Sequence, residues 1–127
     1  MGHCIRVHLI KKSELRNEKI EYLVDNKDPF EIKWIELKEG ILATTDEIPY
    51  FFMKDKMIAY ITTDYFGGFG DQSAILYVNG KEVINTEVNN SVNIVLKEMG
   101  VICKDGCDEW DTIGLSNYRS NEDFKLF

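Results

Sequence analysis

Proline is nearly missing from this chain, with only Pro29 and Pro49 in 127 residues, and no Pro-rich, Ser-rich or single-charge tract marks a linker. Cysteine is scarce and odd in number: three thiols, in a chain long enough to bury its own core, read as reduced and not as a disulfide framework. Long apolar runs are lacking too. The longest are stretches such as Ile94-Val95-Leu96, far below the roughly 20 residues a membrane helix needs. His3, Arg6, His8, Lys11 and Lys12 interrupt any apolar region of a secretory signal, so the expected location is the cytoplasm. Positive charge is in deficit, 15 basic against 22 acidic side chains for a net charge of −7. That balance disfavours phosphate backbones and anionic lipid, and neither nucleic acid nor membrane is expected as a partner. No segment repeats at a fixed period.

What is present describes a folded domain. Hydrophobic residues make up 44% and charged residues 29%, enough for a core and a solvated surface, and residues 1–127 read as one domain. Ile5, Val7 and Leu9 alternate with Cys4, Arg6 and His8, the period-two pattern of a strand buried on one face. Ile20, Leu23 and Val24 after Asn17 predict a short amphipathic helix that ends before Pro29. Phe30–Leu37 reads as a strand with a phase slip, absorbed by a bulge, and Trp34 in it as core. Ile58–Thr63 predicts another strand, and Ile75–Val78, apolar on both parities, a central strand covered on both faces. Asn79-Gly80 supplies a tight hairpin turn into Val83-Ile84. Val92, Val95, Leu96 and Met99 form one helical stripe after Asn90 or Ser91, and Gly100 stands at the C′ position. The tail reads as an acidic loop, a short strand near Thr112–Leu115 and a helical turn capped near Ser120. The expected class is α+β: a mostly antiparallel sheet of about five to six strands with two main helices packed on it.

Three patterns bear on chemistry. In Asp64-Tyr65-Phe66-Gly67-Gly68-Phe69-Gly70-Asp71, three glycines free the backbone while two phenylalanines crowd a short stretch. The motif lacks the Lys-Ser/Thr of a phosphate-binding loop and joins two strands, so a wide β-connection with an aromatic folded onto the core, or an aromatic recognition surface, fits it better. Cys103 and Cys107 stand near Asp105, Asp108 and Asp111, but a zinc site would need Cys4 with His3 or His8 as its second half, and the acids lack the ligand order of a calcium loop; no metal and no cofactor is expected. Cys4 and His8 share a strand face about 13 Å apart while His3 points away, so no catalytic triad is evident. Paired carboxylates, Asp64 with Asp71 or Asp108 with Asp111, leave acid–base work open. Trp110, between Glu109 and Asp111, reads equally as half-buried packing or as a partner contact.

The strings Tyr65-Phe66-Gly67-Gly68-x-Gly70-x-Gln72-x-Ala74, Leu96-x-x-x-Gly100-Val101, Asp108-Glu109-x-Asp111-x-Ile113-Gly114-Leu115 and Tyr118-Arg119-Ser120-x-Glu122-Asp123 resemble a group of small uncharacterised bacterial proteins across about the C-terminal half. The lone-domain format is similar to the immunity proteins of bacterial toxin systems, including contact-dependent inhibition. The resemblance implies a cytoplasmic module whose partner is a cognate toxin protein, and it implies no catalytic residue. Acids would steer association with a basic groove and aromatics would anchor it. The residues expected to bind are Asp64, Tyr65, Phe66, Phe69, Asp71, Asp108, Glu109, Trp110 and Asp111. Two alternatives stand beside this: a small hydrolase or ligand-binding enzyme using the Gly67–Gly70 loop and a carboxylate, with Asp64, Asp71, Tyr118 and Arg119 converging on a pocket, and a homodimer that buries the exposed aromatics.

Overall fold

The computed structural model describes residues 3–14, 22–23, 29–30, 34–48, 50–66 and 69–124. Strand β1 (His3–Lys11) follows its alternation: Ile5, Val7 and Leu9 are fully buried, while Cys4 and Arg6 are exposed. It lies inside a six-stranded antiparallel sheet with the order β4 (Ile35–Glu36), β5 (Ile41–Thr44), β1, β6 (Met57–Phe66), β7 (Phe69–Val78), β8 (Lys81–Thr86). The two-residue strands β2 (Tyr22–Leu23) and β3 (Pro29–Phe30) pair separately. The α+β class read from composition and periodicity is the one found.

Strands β6, β7 and β8 form the expected meander. Asn79 and Gly80 take φ of 54° and 78°, the left-handed geometry of a two-residue turn, and Val78 pairs with Lys81 across it. A register shift opposite Leu76/Tyr77 leaves Val83 as an extra residue on the edge strand β8, and such a bulge discourages edge-to-edge pairing.

Helix α2 (Ser91–Glu98) presents Val92, Val95 and Leu96, followed by Met99, to one sheet face, where they meet Ile5, Val7, Leu9, Ala59, Ile61, Ala74 and Leu76. Truncating one of these, such as Leu96, to alanine would cost about 2–5 kcal/mol. Gly100 (φ 94°) ends the helix as its sequence position predicts: its N–H donates to the Lys97 carbonyl and that of Val101 to Leu96, the paired bonds of a Schellman cap.

The tail corrects an expectation. No strand forms at Thr112–Leu115; a one-turn helix α3 (Glu109–Thr112) is followed by Gly114 at φ 80° and a 3₁₀ turn over Leu115–Asn117. The reason is local: the Asp108 carboxylate accepts from the Asp111 N–H at 2.9 Å and so caps a helix of four residues. A second 3₁₀ turn, Asn121–Phe124, follows Ser120 as expected, with the Asp123 carboxylate accepting from the Arg119 and Ser120 N–H groups. This tail closes β1 where β5, which pairs only with His8–Lys11, no longer reaches. Cys4 N–H donates to the Arg119 carbonyl at 2.7 Å and Arg6 N–H to Asn121 Oδ1 at 2.8 Å.

Three further expectations change. Leu23 lies in β2 and not in a helix, because it is paired across to Pro29; the rest of the helix expected around Ile20–Val24 lies outside the described residues. The strand expected over Phe30–Leu37 is interrupted, with only Pro29–Phe30 and Ile35–Glu36 paired, and residues 31–33 lie outside the described part. The glycine segment is no wide connection. Strands β6 and β7 stay in register to Phe66↔Phe69, leaving only Gly67 and Gly68 between them.

Candidate functional site

In an antiparallel ladder, residues that pair share a face, so the register lays out the second side of the sheet as rows. At one end Ile10 pairs with Ile58 and Leu42, and these join Phe52 of the short helix α1 (Tyr50–Met53) in a small apolar cluster with Trp34, Ile48 and Met53. Trp34, just outside β4, packs partly buried against this cluster, and among the described residues its buried indole N–H has no hydrogen-bond partner. That cluster covers one end of this face only. The next row holds His8 and Tyr60, their rings tilted to each other at 4.6 Å between centroids, with Ile75 beyond. Ile75 and Tyr77 are half-buried, whereas Ala74 and Leu76 on the helix side are buried, so the cover expected on both faces of this strand is complete on one face only, at those two residues. Then come Arg6, Thr62 and Ser73, the two hydroxyls bonded to each other, and last Cys4, Asp64 and Asp71.

These rows line an open recess. Cys4, Arg6, Tyr60, Thr62, Asp64, Asp71, Ser73 and Glu87 bound a groove of about 510 Å³. A second hollow of about 380 Å³ shares Arg6 and Tyr60 with it and extends past His8 and Tyr77 to Asp46 and Glu47. Asp64 and Asp71 are exposed and directly opposite, a like-charge pairing that costs stability. Among the described residues neither carboxylate makes an ion pair or a hydrogen bond, and no side-chain partner meets the Arg6 guanidinium. Burial holds His8 well below its ordinary 6.5, at about 4, so this imidazole is neutral near pH 7.

The nine residues expected to bind fall into two groups. Asp64 and Asp71 stand together on the groove. Tyr65 is on the helix-bearing face, where its hydroxyl accepts from Gln72 Nε2 at 2.9 Å; Gln72 Oε1 in turn accepts from the Val92 N–H at 2.7 Å and satisfies the start of α2. Phe66 and Phe69 face each other at the hairpin end, and their side chains lie outside the described part. Asp108, Glu109, Trp110 and Asp111 are with the helices. Asn93 of α2 donates to Asp108 at 3.0 Å and accepts from the Trp110 N–H at 2.8 Å, binding α3 to α2. Glu109 and Asp111 occupy the first turn of α3, where its dipole favours negative charge. Trp110 is half-buried on the core, its ring 4.6 Å from that of His3. His3 sits between Thr63 Oγ1 at 2.7 Å and the Leu115 carbonyl at 3.4 Å, and burial lowers its pKa, so the neutral ring links the tail to β6.

Tyr118 stacks on Phe124 at 4.7 Å, and neither it nor Arg119 lines the groove, so the convergence expected of a small enzyme pocket is not formed. Among the described residues no three His, Cys, Asp or Glu side chains are placed to hold a metal ion. Cys103 and Cys107 stand exposed beside α3, whereas Cys4 opens into the groove. Among the described residues no helix is long and apolar enough to cross a membrane.

No family model, curated protein or solved structure matches this chain.

Sequence reasoning missed Arg6, His8, Tyr60, Thr62, Ser73 and Glu87 as neighbours of Asp64 and Asp71. The signal was there in part: the even positions of β1 are polar from Cys4 to His8 and turn apolar at Ile10, marking where cover of that face begins. Which even positions of β6 and β7 stand beside them follows only from the register.

Proposed function

We propose that this chain is a protein-binding module, a cytoplasmic immunity protein that neutralises a bacterial toxin domain by occupying its working surface. The observation that carries the reading is the facing pair Asp64 and Asp71, two exposed carboxylates opposed across β6 and β7 that have no partner among the described residues. Their repulsion weighs against the free fold and is relieved when a cationic surface lies over them. The net charge of −7 adds long-range attraction to a basic groove such as a nuclease presents. The resemblance in segments and format points the same way. A hydrolase would draw its groups into a deep, partly apolar pocket, and the open groove lined by Arg6, Thr62, Ser73 and three carboxylates favours association instead.

The test is co-expression with the C-terminal domain of a large secreted protein encoded immediately upstream. The expected result is restored growth and a complex that co-purifies, with association slowed by salt. If that domain is toxic and this chain neither protects nor binds, the reading fails.

A further inference from the structure

We infer that the groove receives an extended segment of the partner bearing a basic side chain and, about 13 Å further along, an apolar or aromatic one. This rests on the binding reading above and adds which surface is used and what lies on it. The carboxylates of Asp64 and Asp71 occupy one end row, with Glu87 on the same wall. The bonded hydroxyls of Thr62 and Ser73 follow, with Arg6 beside them on β1. The tilted rings of His8 and Tyr60 come next, and the face closes beyond them where Ile10, Ile58 and Phe52 are fully buried. Along the sheet the rows thus run from facing carboxylates through hydroxyls to aromatic rings, with Asp46 and Glu47 bordering the hollow beyond the rings.

A cation over Asp64 and Asp71 gains two charge-assisted contacts, and a strand-like segment brings a side chain four residues away over the rings, since Asp64 and Tyr60 are themselves four residues apart. The unpaired guanidinium of Arg6 faces the middle of the segment, where backbone carbonyls can accept from it. Asp108 at the start of α3 is not free in this way, since its carboxylate is committed to the Asp111 N–H and to Asn93.

The three cysteines give an internal readout, because Cys4 lies in the groove while Cys103 and Cys107 lie by α3. The probe is the peptide acetyl-Lys-Ser-Thr-Ser-Phe-amide, with Glu-for-Lys and Ser-for-Phe controls, and the measurement is the alkylation rate of each thiol by mass spectrometry. The expected result is that Cys4 is slowed about tenfold when the peptide stands at about ten times its Kd, with Cys103 and Cys107 unchanged. Both controls and the Asp64→Asn/Asp71→Asn variant should lose the protection. Equal protection by the Glu peptide, protection of Cys103 and Cys107 instead, or none at millimolar peptide overturns the inference. So does protection of Cys4 by raising the concentration of the protein alone, which would make a second copy the occupant. Repeated with a toxin domain that binds, an unprotected Cys4 overturns the groove assignment and leaves the binding reading standing.

Discussion

Gly70 has a reason that no composition count reveals. Its φ is 155°, and a Cβ built there would overlap the backbone carbonyl oxygen of Asp64 on the facing strand. That atom is backbone and cannot move aside, so Gly70→Ala should destabilise the protein by more than about 2 kcal/mol, read from urea unfolding. His8 makes a second prediction, on pH. Its folded pKa lies at about 4, below the ordinary 6.5, so between those values the unfolded chain binds more protons than the fold. The contribution of neutral His8 is complete above pH 6.5, is lost as pH falls toward 4, and changes no further below that. His8→Phe keeps a ring against Tyr60 and removes the titration. Between pH 7 and pH 4 the wild type should lose about 2 kcal/mol more unfolding free energy than this variant, after discounting for the ring's partial contact with solvent. Equal losses would show that burial does not perturb this imidazole.

Helix α3 shows how one side chain decides an element. Asp108 supplies its cap, and Asn93 ties the same carboxylate to α2, so Asp108→Ala should cost about 1–2 kcal/mol. In a double cycle with Asn93→Ala the two losses should not add, because both remove one network; additive losses would mean that the two helix ends are held independently. The elements that were legible in the sequence are those whose pattern and punctuation agree: β1 by alternation, the Asn79-Gly80 hairpin by its turn residues, and α2 by its stripe with Gly100 at the end. The misreadings fall where local pattern is short. Thr112–Leu115 looks apolar enough for a strand, but the Asp108–Asp111 spacing caps a helical turn first, and Gly114 then reverses the chain. Around Pro29 the pairing partner decides, since a three-residue apolar pattern at Ile20, Leu23 and Val24 does not outweigh the bridge from Leu23 to Pro29.

Seen as one molecule, the sheet has a finished side and an unfinished one. The helices, with α2 held through Gln72 and the tail through His3 and Phe124, close the first over a single large cluster. Among the described residues the other is closed around Phe52, and its remaining half carries the groove. If that half is kept for a partner, relieving its internal repulsion should help the free protein and harm the complex. Asp71→Asn is therefore expected to raise unfolding free energy by a few tenths of a kcal/mol, about the cost of facing like charges. The same variant should weaken partner binding and flatten its dependence on salt. A destabilised variant would mean that Asp71 has a structural role in the fold.

The alternation of β1, the turn at Asn79-Gly80, the stripe and cap of α2 and the acidic balance were fixed by residues close together in the chain, because capping, turn geometry and strand parity act over a few positions. Which carboxylates face each other, and that Trp110 and Tyr65 look inward while Asp64 and Asp71 look out, was decided by strand register and by where α2 and α3 dock. A one-residue slip of β7 against β6 would turn every side chain of β7 to the opposite face, and no local signal in the sequence excludes that slip. It is excluded by burial, because only the observed register puts Ala74 and Leu76 under the helix.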